Sequence, residues 1–243
     1  DPYNEISMGV FADKTASKYD ISREEQDAFA LRSYENSALT TKNGFFSNEI
    51  IGVSVPQRRG EPILIVEDEE YKRVKFEKVS QLRPAFSKNG TVTAANASTI
   101  NDGASALILA SAEALKKYNL KPVAKILSFA DAAHEPQWFT TAPTIAAPKA
   151  LKLAKITISD VDYFEVNEAF SVVPLAFNKI LDVDINKVNV HGGAVSLGHP
   201  LGASGARIVT TLINVLQNRD AKVGCAAICN GGGGASSIVI ERV

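Results

Sequence analysis

The sequence predicts an α/β protein with a parallel-rich sheet covered on both faces, on three observations. From Pro122 onward, apolar runs of strand length alternate with segments of helical periodicity, the pattern of strands joined by crossover helices. A glycine-punctuated stretch, Asn189 to Arg207 (NVHGGAVSLGHPLGASGAR), joins a strand-like run to an amphipathic segment. Gly103-Ala-Ser-Ala-Leu-Ile-Leu109 is echoed by Gly234-Ala-Ser-Ser-Ile-Val-Ile240, which suggests a duplicated α/β unit. Its second copy would be present, and its first represented by a last strand and helix.

Taken in order, Ser22-Arg-Glu-Glu25 is a capping box. It opens a helix to Lys42 that sets Ala28, Phe29, Leu31, Tyr34 and Ala38 at helical spacing, with Gly44 as its stop. Asn48 to Val55 reads as a short strand. The acidic run Glu67 to Glu70 is followed by Lys72, Arg73, Lys75 and Lys78. Such a run is a solvated face, or its cationic half meets a polyanionic tail such as a phosphorylated nucleotide. Thr91 to Ser98 is small and polar, suited either to tight packing or to close approach by a ligand. Ala104 to Ala110 reads as a buried strand and Ala112 to Tyr118 as a helix.

Beyond Pro122 the expected elements are a strand at Val123 to Phe129, a helix at Ala146 to Ala154 and a strand at Val161 to Val166. A helix through Phe170, Val173 and Phe177 follows, bent by Pro174. Then come a strand at Lys187 to Val190, a helix at Ala203 to Gln217, and strands at Val223 to Ile228 and Ser237 to Glu241. Three sections result: 1–97, loop-rich; 98–121, the end of a truncated domain; and 122–243, a complete α/β domain.

The chain has 243 residues, of which 45% are hydrophobic and 22% charged, an ordinary globular composition. Lys+Arg 26 against Asp+Glu 27 leaves a net charge of −1. No general attraction to nucleic acid or an anionic membrane is expected from that balance, and no apolar run is long enough to span a bilayer. The opening Asp-Pro-Tyr-Asn carries neither an initiator Met nor a targeting pattern, so a fragment or processed piece is expected. Cys225 and Cys229 share one apolar segment, lack a second ligand pair for zinc, and would lie too far apart on a strand to bridge.

Three short motifs stand at expected strand ends, where sites assemble in open α/β sheets: Asn167-Glu-Ala-Phe170, Gly198-His199-Pro200 and Cys229-Asn-Gly-Gly-Gly-Gly234. The first offers an amide. The second offers an imidazole that a helix N-terminus would keep neutral, able to act as general base or oxyanion donor. The third offers a thiol followed by backbone N–H groups freed by glycine. Each also has a structural reading: a helix cap, a satisfied turn histidine, a buried cysteine before a loop. Gly193-x4-Gly198 has the glycine spacing of a phosphate loop, but His-Pro stands where Lys-Ser/Thr should.

In this order the motifs resemble the thiolase family, most closely its acetoacetyl-CoA thiolases (acetyl-CoA acetyltransferases), including the mitochondrial form. The likeness runs the length of the chain through DEEYKRV, NGTVTAANAS, NDGA, NEAF, GGAVSLGHP and CNGGGGAS. It implies a layered α/β fold with one complete C-terminal half (122–243), a coenzyme-A-binding loop section (1–97), and residues 98–121 as the remnant of a largely missing N-terminal half.

It further implies that His199 activates the nucleophile and helps bind a thioester oxyanion with Asn167, which holds a water. Cys229 would be the acid/base for the acetyl methyl group, and the Gly231 N–H part of a second oxyanion hole. Tyr3, Arg73, Val74, Lys75, Lys78 and Ser98 match coenzyme-A-contacting positions, and Tyr3, Ala94, Ala95, Ala97 and Val195 a potassium site of mainly carbonyl oxygens. No organic prosthetic group is implied. A homo-oligomer (tetramer or dimer) in the mitochondrial matrix is, with the cytoplasm as alternative.

Two departures stand out. The family's nucleophilic cysteine belongs to the half this chain lacks, which predicts that the chain alone is inactive. Phe139-Thr140 stands where the mitochondrial form has Phe-Pro beside the acyl pocket. Two rival readings are a β-ketoacyl synthase, disfavoured by Asn167 and Cys229, and a non-catalytic fragment that binds coenzyme A or a partner subunit.

Overall fold

The computed structural model describes residues 1–243. Helices α1 (Met8–Lys18) and α2 (Arg23–Lys42) open it. α1 has no counterpart among the sequence expectations. Its N-cap Ser7 makes no side-chain hydrogen bond, and burial of Phe11, Ala12 and Ala16 in the main core holds it. α2 follows its capping box: the Ser22 hydroxyl accepts from the Glu25 amide at 3.1 Å, and the Glu25 carboxylate accepts from the Ser22 amide at 2.6 Å.

Two expectations in the next stretch are corrected. The strand at Asn48 to Val55 shrinks to β1 (Val53–Val55), paired antiparallel with β2 (Ile63–Ile65). Phe45–Asn48 instead winds into a 3-10 turn that buries Phe46. The buried strand at Ala104 to Ala110 is absent. That segment has no regular structure, and Ile108 and Leu109 are 93% and 75% exposed. An apolar run becomes a strand only where a ladder partner satisfies its amides, and no strand of the main sheet runs beside this one. Helix α3 (Ala112–Tyr118) follows, capped by Ser111.

The main sheet contains β3 (Ala124–Ala133), β4 (Tyr163–Val166), β5 (Val223–Cys229) and β6 (Gly234–Arg242) in the order β3-β6-β5-β4. It is not parallel-rich. β3, β5 and β4 point the same way, but β6 is reversed and lies between β3 and β5, so only the β4–β5 ladder is parallel. The cause is the short glycine link from Cys229 to Gly234, which can close a hairpin but cannot support a crossover.

Covering on both faces does hold. On one side Cys225, Ala227, Cys229 and Val239 meet helices α4 (Pro143–Ala154) and α5 (Val172–Leu181) through Ala147, Ala150, Leu151, Ala176 and Phe177. On the other, Ala226 and Ile240 meet Ile208, Leu212 and Leu216 of the long helix α7 (Ser204–Asn218). A single-turn helix, α6 (Ala194–Leu197), precedes it. No helix is long and apolar enough to cross a membrane.

Two local expectations fail on backbone grounds. Pro174 does not bend a helix: α5 starts at Val172, so the proline sits in the first turn, where its missing N–H has no intrahelical acceptor to lose. Lys187 to Val190 is no strand. A 3-10 turn ends at Lys187, Val188 forms one parallel bridge with Phe164, and Asn189 turns left-handed at φ 50°.

Candidate active site

Because β4 and β5 are parallel, their C-terminal ends leave the sheet at one edge. Asn167 follows β4 directly, and its amide donates to the Ala227 carbonyl at 2.9 Å, two residues before Cys229 closes β5. The Asn189 carboxamide then does the work of a neighbouring strand. Its Oδ1 accepts from the Val166 amide and its Nδ2 donates to the Val166 carbonyl, both at 2.8 Å.

The same Nδ2 reaches the Glu168 carboxylate at 2.8 Å, which also accepts from the Ser33 hydroxyl (2.7 Å) and the Val195 amide (3.0 Å). Glu168 is fully buried. It ties α2, the Asn189 turn and α6 behind the Asn167 loop, a supporting role. Burial raises its pKa, and these donors act against that rise.

α6 carries the chain to His199. The amide that would bond the Val195 carbonyl in a continuing helix, that of His199, donates instead to the Thr99 carbonyl at 2.8 Å. The turn brings the His199 Nε2 to 3.5 Å from the Asn167 Nδ2, while His199 Nδ1 lies 2.6 Å from the Ser204 hydroxyl. Burial and, after it, the Arg207 charge lower the His199 pKa, so the ring is neutral near pH 7. The sequence attributed that neutrality to a helix terminus; desolvation is the larger cause.

Cys229 is buried and its thiol is pushed up to about 12 by desolvation. Cys225, inside the strand and beside the Ser237 hydroxyl at 3.4 Å, is pushed up to about 11. The loop after Cys229 is closed by the Asn230 amide on the Gly234 carbonyl, 2.9 Å, and by the His134 amide on the Gly233 carbonyl, 3.0 Å. Gly233 has φ 87°, and a Cβ there would lie 2.0 Å from the His134 carbonyl oxygen, so no other residue fits. Gly231 is exposed, and a Cβ on it would find nothing nearer than the Met8 methyl at 3.9 Å. Its surroundings are open to a ligand.

The other sequence candidates fall into two sets. Ser98 stands beside the Asn167 loop, its amide and hydroxyl both donating to the Ala169 carbonyl at 3.1 and 2.9 Å. Tyr3 is 75% exposed, its ring next to Gly232. Arg73 reaches Glu69 at 3.2 Å and Glu70 at 3.4 Å. Lys75 and Lys78 are exposed along the 3-10 helix Phe76–Gln81, and Val74 packs on Ala30, Tyr34 and Val195.

Around the loop Thr93 to Ala97, Ala94 is exposed and Ala95 and Ala97 are buried. The hydroxyl that reaches this loop is that of Tyr34, 3.3 Å from the Ala95 carbonyl. Backbone carbonyl oxygens of this loop are the type of donor that a hard cation prefers.

Phe139 packs edge-on against Phe170 with centroids 6.5 Å apart, and buried Thr140 shares a 2.6 Å hydroxyl contact with Thr15 of α1. Sequence reasoning missed Thr99, Ser204, Arg207 and Tyr34. Ser204 and Arg207 stood within the glycine-punctuated stretch and Thr99 just past NGTVTAANAS, but no spacing rule assigned any of them a role.

Residues 120–242 match the family described as "Thiolase, C-terminal domain", and residues 1–113 that described as "Thiolase, N-terminal domain". The chain belongs to the thiolase family. It is 56% identical over its whole length to a probable acetyl-CoA acetyltransferase of Dictyostelium discoideum, covering 59% of that protein. It is 54% identical to a mitochondrial acetyl-CoA acetyltransferase of Danio rerio, again over its whole length and covering 57% of the relative. The crystal structure of the Acat5 thiolase of Ascaris suum in complex with coenzyme A superposes with a TM-score of 0.90 at 47% identity, over 99% of this chain and 61% of that one. The chain thus has the mixed α/β thiolase fold and spans about 60% of the length of the curated thiolases it matches.

Proposed function

We propose that this chain is the C-terminal part of an acetyl-CoA C-acetyltransferase. The intact enzyme joins two acetyl-CoA into acetoacetyl-CoA and free coenzyme A, or runs the thiolytic reverse, through an acyl-cysteine formed on a cysteine outside this chain. The observation that carries the proposal is the meeting of Asn167 and His199, 3.5 Å apart, at the sheet edge where Cys229 ends β5.

In this reading neutral His199 takes the proton of the nucleophilic thiol, and with a water held by Asn167 stabilises the thioester oxyanion. The Cys229 thiol, at about 12, is protonated near neutrality, so it must give its proton away before it can act as a base. The departing coenzyme A thiolate is the acceptor. The desolvated Cys229 thiolate then takes a proton from the methyl group of the second acetyl-CoA, whose enolate oxygen lies against the Gly231 N–H. The carbanion displaces the nucleophilic cysteine, which recovers its proton from His199, and the protons balance.

Tyr3, Arg73, Val74, Lys75, Lys78 and Ser98 hold coenzyme A. Tyr3 with the carbonyls of Ala94, Ala95, Ala97 and Val195 holds potassium, which would order the loop against that ligand. Residues 1–97 are the coenzyme-A section, 98–121 the end of the N-terminal domain and 122–243 the C-terminal domain. The intact enzyme is a homo-oligomer. Relatives named for the mitochondrion support the matrix as its compartment, and one named as cytosolic supports the alternative.

The test uses the intact enzyme. With Cys229→Ala, labelled acetyl-CoA acylates the nucleophile but condensation falls about 10²–10⁴-fold, the worth of a positioned proton shuttle. With His199→Ala acylation itself slows, so rapid-quench mass spectrometry finds trapped acyl-enzyme only in the cysteine variant. Near-normal condensation by Cys229→Ala, or thiolysis of acetoacetyl-CoA by the 243-residue chain alone that His199→Ala abolishes, would overturn the reading.

A further inference from the structure

The imidazole of His199 has a partner on each nitrogen, and the two partners agree on where its single proton sits. Ser204, the first residue of α7, is fully buried. Its hydroxyl lies 3.1 Å from the Pro200 carbonyl, an atom that can only accept. With the one hydroxyl proton directed there, Ser204 Oγ is left as the acceptor facing His199 Nδ1 at 2.6 Å, so Nδ1 must carry the ring proton.

The other side of the ring gives the same answer. The Asn167 Nδ2, a donor only, faces Nε2 at 3.5 Å, which places a lone pair on Nε2. A general base needs its lone pair turned toward the proton it receives. An imidazole with the proton on Nε2 would occupy the same space and accept nothing there.

We propose that Ser204 is a positioning residue that fixes His199 as the Nδ1–H tautomer and so keeps Nε2 free to take the proton of the nucleophilic thiol. The proline of Gly198-His199-Pro200 is part of the device. Its carbonyl accepts the Ala203 amide at 2.8 Å, the Ser204 amide at 3.0 Å and the Ser204 hydroxyl at 3.1 Å, which fixes the hydroxyl rotor. Arg207, one turn further along α7, adds a cation near the ring. Ser204 and Arg207, three residues apart, thus act on the ring from one face of α7, while Asn167 faces it from the end of β4. The inference rests on His199 being the base proposed above.

The experiment is carried out on intact enzyme with carbon-13 and nitrogen-15 labelled histidine. The His199 signals are those that a His199→Ala difference spectrum removes. Neutral His199 is expected to show the Nδ1–H pattern. Ser204→Ala is expected to populate the Nε2–H form and lower kcat about 10- to 100-fold with KM unchanged, less than the loss of the base itself. Ser204→Thr, which keeps the hydroxyl, is expected to restore both the spectrum and kcat.

The wild-type spectrum alone decides the matter if Ser204→Ala does not fold. An Nε2–H tautomer there, with His199→Ala inactive, overturns the role of Ser204 and leaves His199 as the base. Undiminished turnover in His199→Ala overturns the parent reading and this one with it.

Discussion

On either side of the Phe45–Asn48 turn lie two groups whose titrations oppose each other. His191 is fully buried, stacks on Phe45 at 5.8 Å and meets Phe46 edge-on at 6.0 Å, with no hydrogen bond to either ring nitrogen. Desolvation, then the Arg219 charge, lowers its pKa to about 4. Glu49, mainly through desolvation, rises to about 7 although Thr211 donates to it at 3.1 Å.

The unfolded chain protonates its histidine near pH 6.5, so the His191 contribution to stability is lost as pH falls from 6.5 toward 4. Glu49 binds its proton more tightly when folded, so its contribution is lost as pH rises from 4.5 through 7. Each shift corresponds to about 3 kcal/mol over its window. His191→Phe is therefore expected to gain stability over the parent steadily between pH 6.5 and 4, and Glu49→Gln between pH 4.5 and 7. Difference curves from chemical unfolding at stepped pH check this; flat curves in both variants would refute the assignment.

At this scale the sequence was readable where a residue type must stand in a fixed place. Asn167, His199 and Cys229 sit in short motifs at strand ends. Thr99 and Glu168 act through contacts with chain far away in sequence, which spacing does not encode, whereas Ser204 lies only five residues past His199 and its role depends on the turn between them.

At the scale of elements, Glu168 holds together what no ladder holds. Its two oxygens accept three donors and present no proton, so the amide of Glu168→Gln would face one of those donors with an N–H. That variant is expected to lose about 1–3 kcal/mol, the cost of a buried unmet polar group. Deuterium exchange should rise around Ser33, Asn189 and Val195 together. A rise confined to one of these would mean that the three elements are held separately.

α2 and α7 were legible because their signals are local: a capping box in one, a regular apolar face in the other. α1 was not, since its caps are weak and its helicity comes from burying Phe11 against Phe139 across the fold, centroids 6.5 Å apart. The direction of β6 was hidden for a different reason. A four-residue glycine link says hairpin, but alternating strands and helices elsewhere argued for crossovers.

For the whole molecule, the apolar run Ala104 to Ala110 is the main liability. Its composition reads as buried strand, yet Ile108 and Leu109 face solvent and the segment has no ladder. Exposed unpaired segments of this kind invite association. The 243-residue chain is expected to self-associate at micromolar concentration, and Ile108→Lys with Leu109→Lys to raise the monomer fraction in sedimentation velocity. A wild-type chain that sediments as one sharp monomer boundary would show that the segment is harmless. The resemblance foresaw the layered fold, but a segment's pairing depends on which chain lies beside it, and that is not written in the segment.

The sheet's two rims differ. Beyond β4, the Val188 bridge, the Asn189 amide on the Phe164 carbonyl at 2.9 Å and the Asn189 carboxamide on Val166 occupy the outward-facing groups. β3, at the opposite rim, has a neighbour on one side only. Such a sheet has a valence of one. Strand addition at β3 would use up the open rim of each molecule and leave two Asn189-sealed rims facing outward. Growth by that route is self-terminating, so a fibre cannot propagate through this sheet.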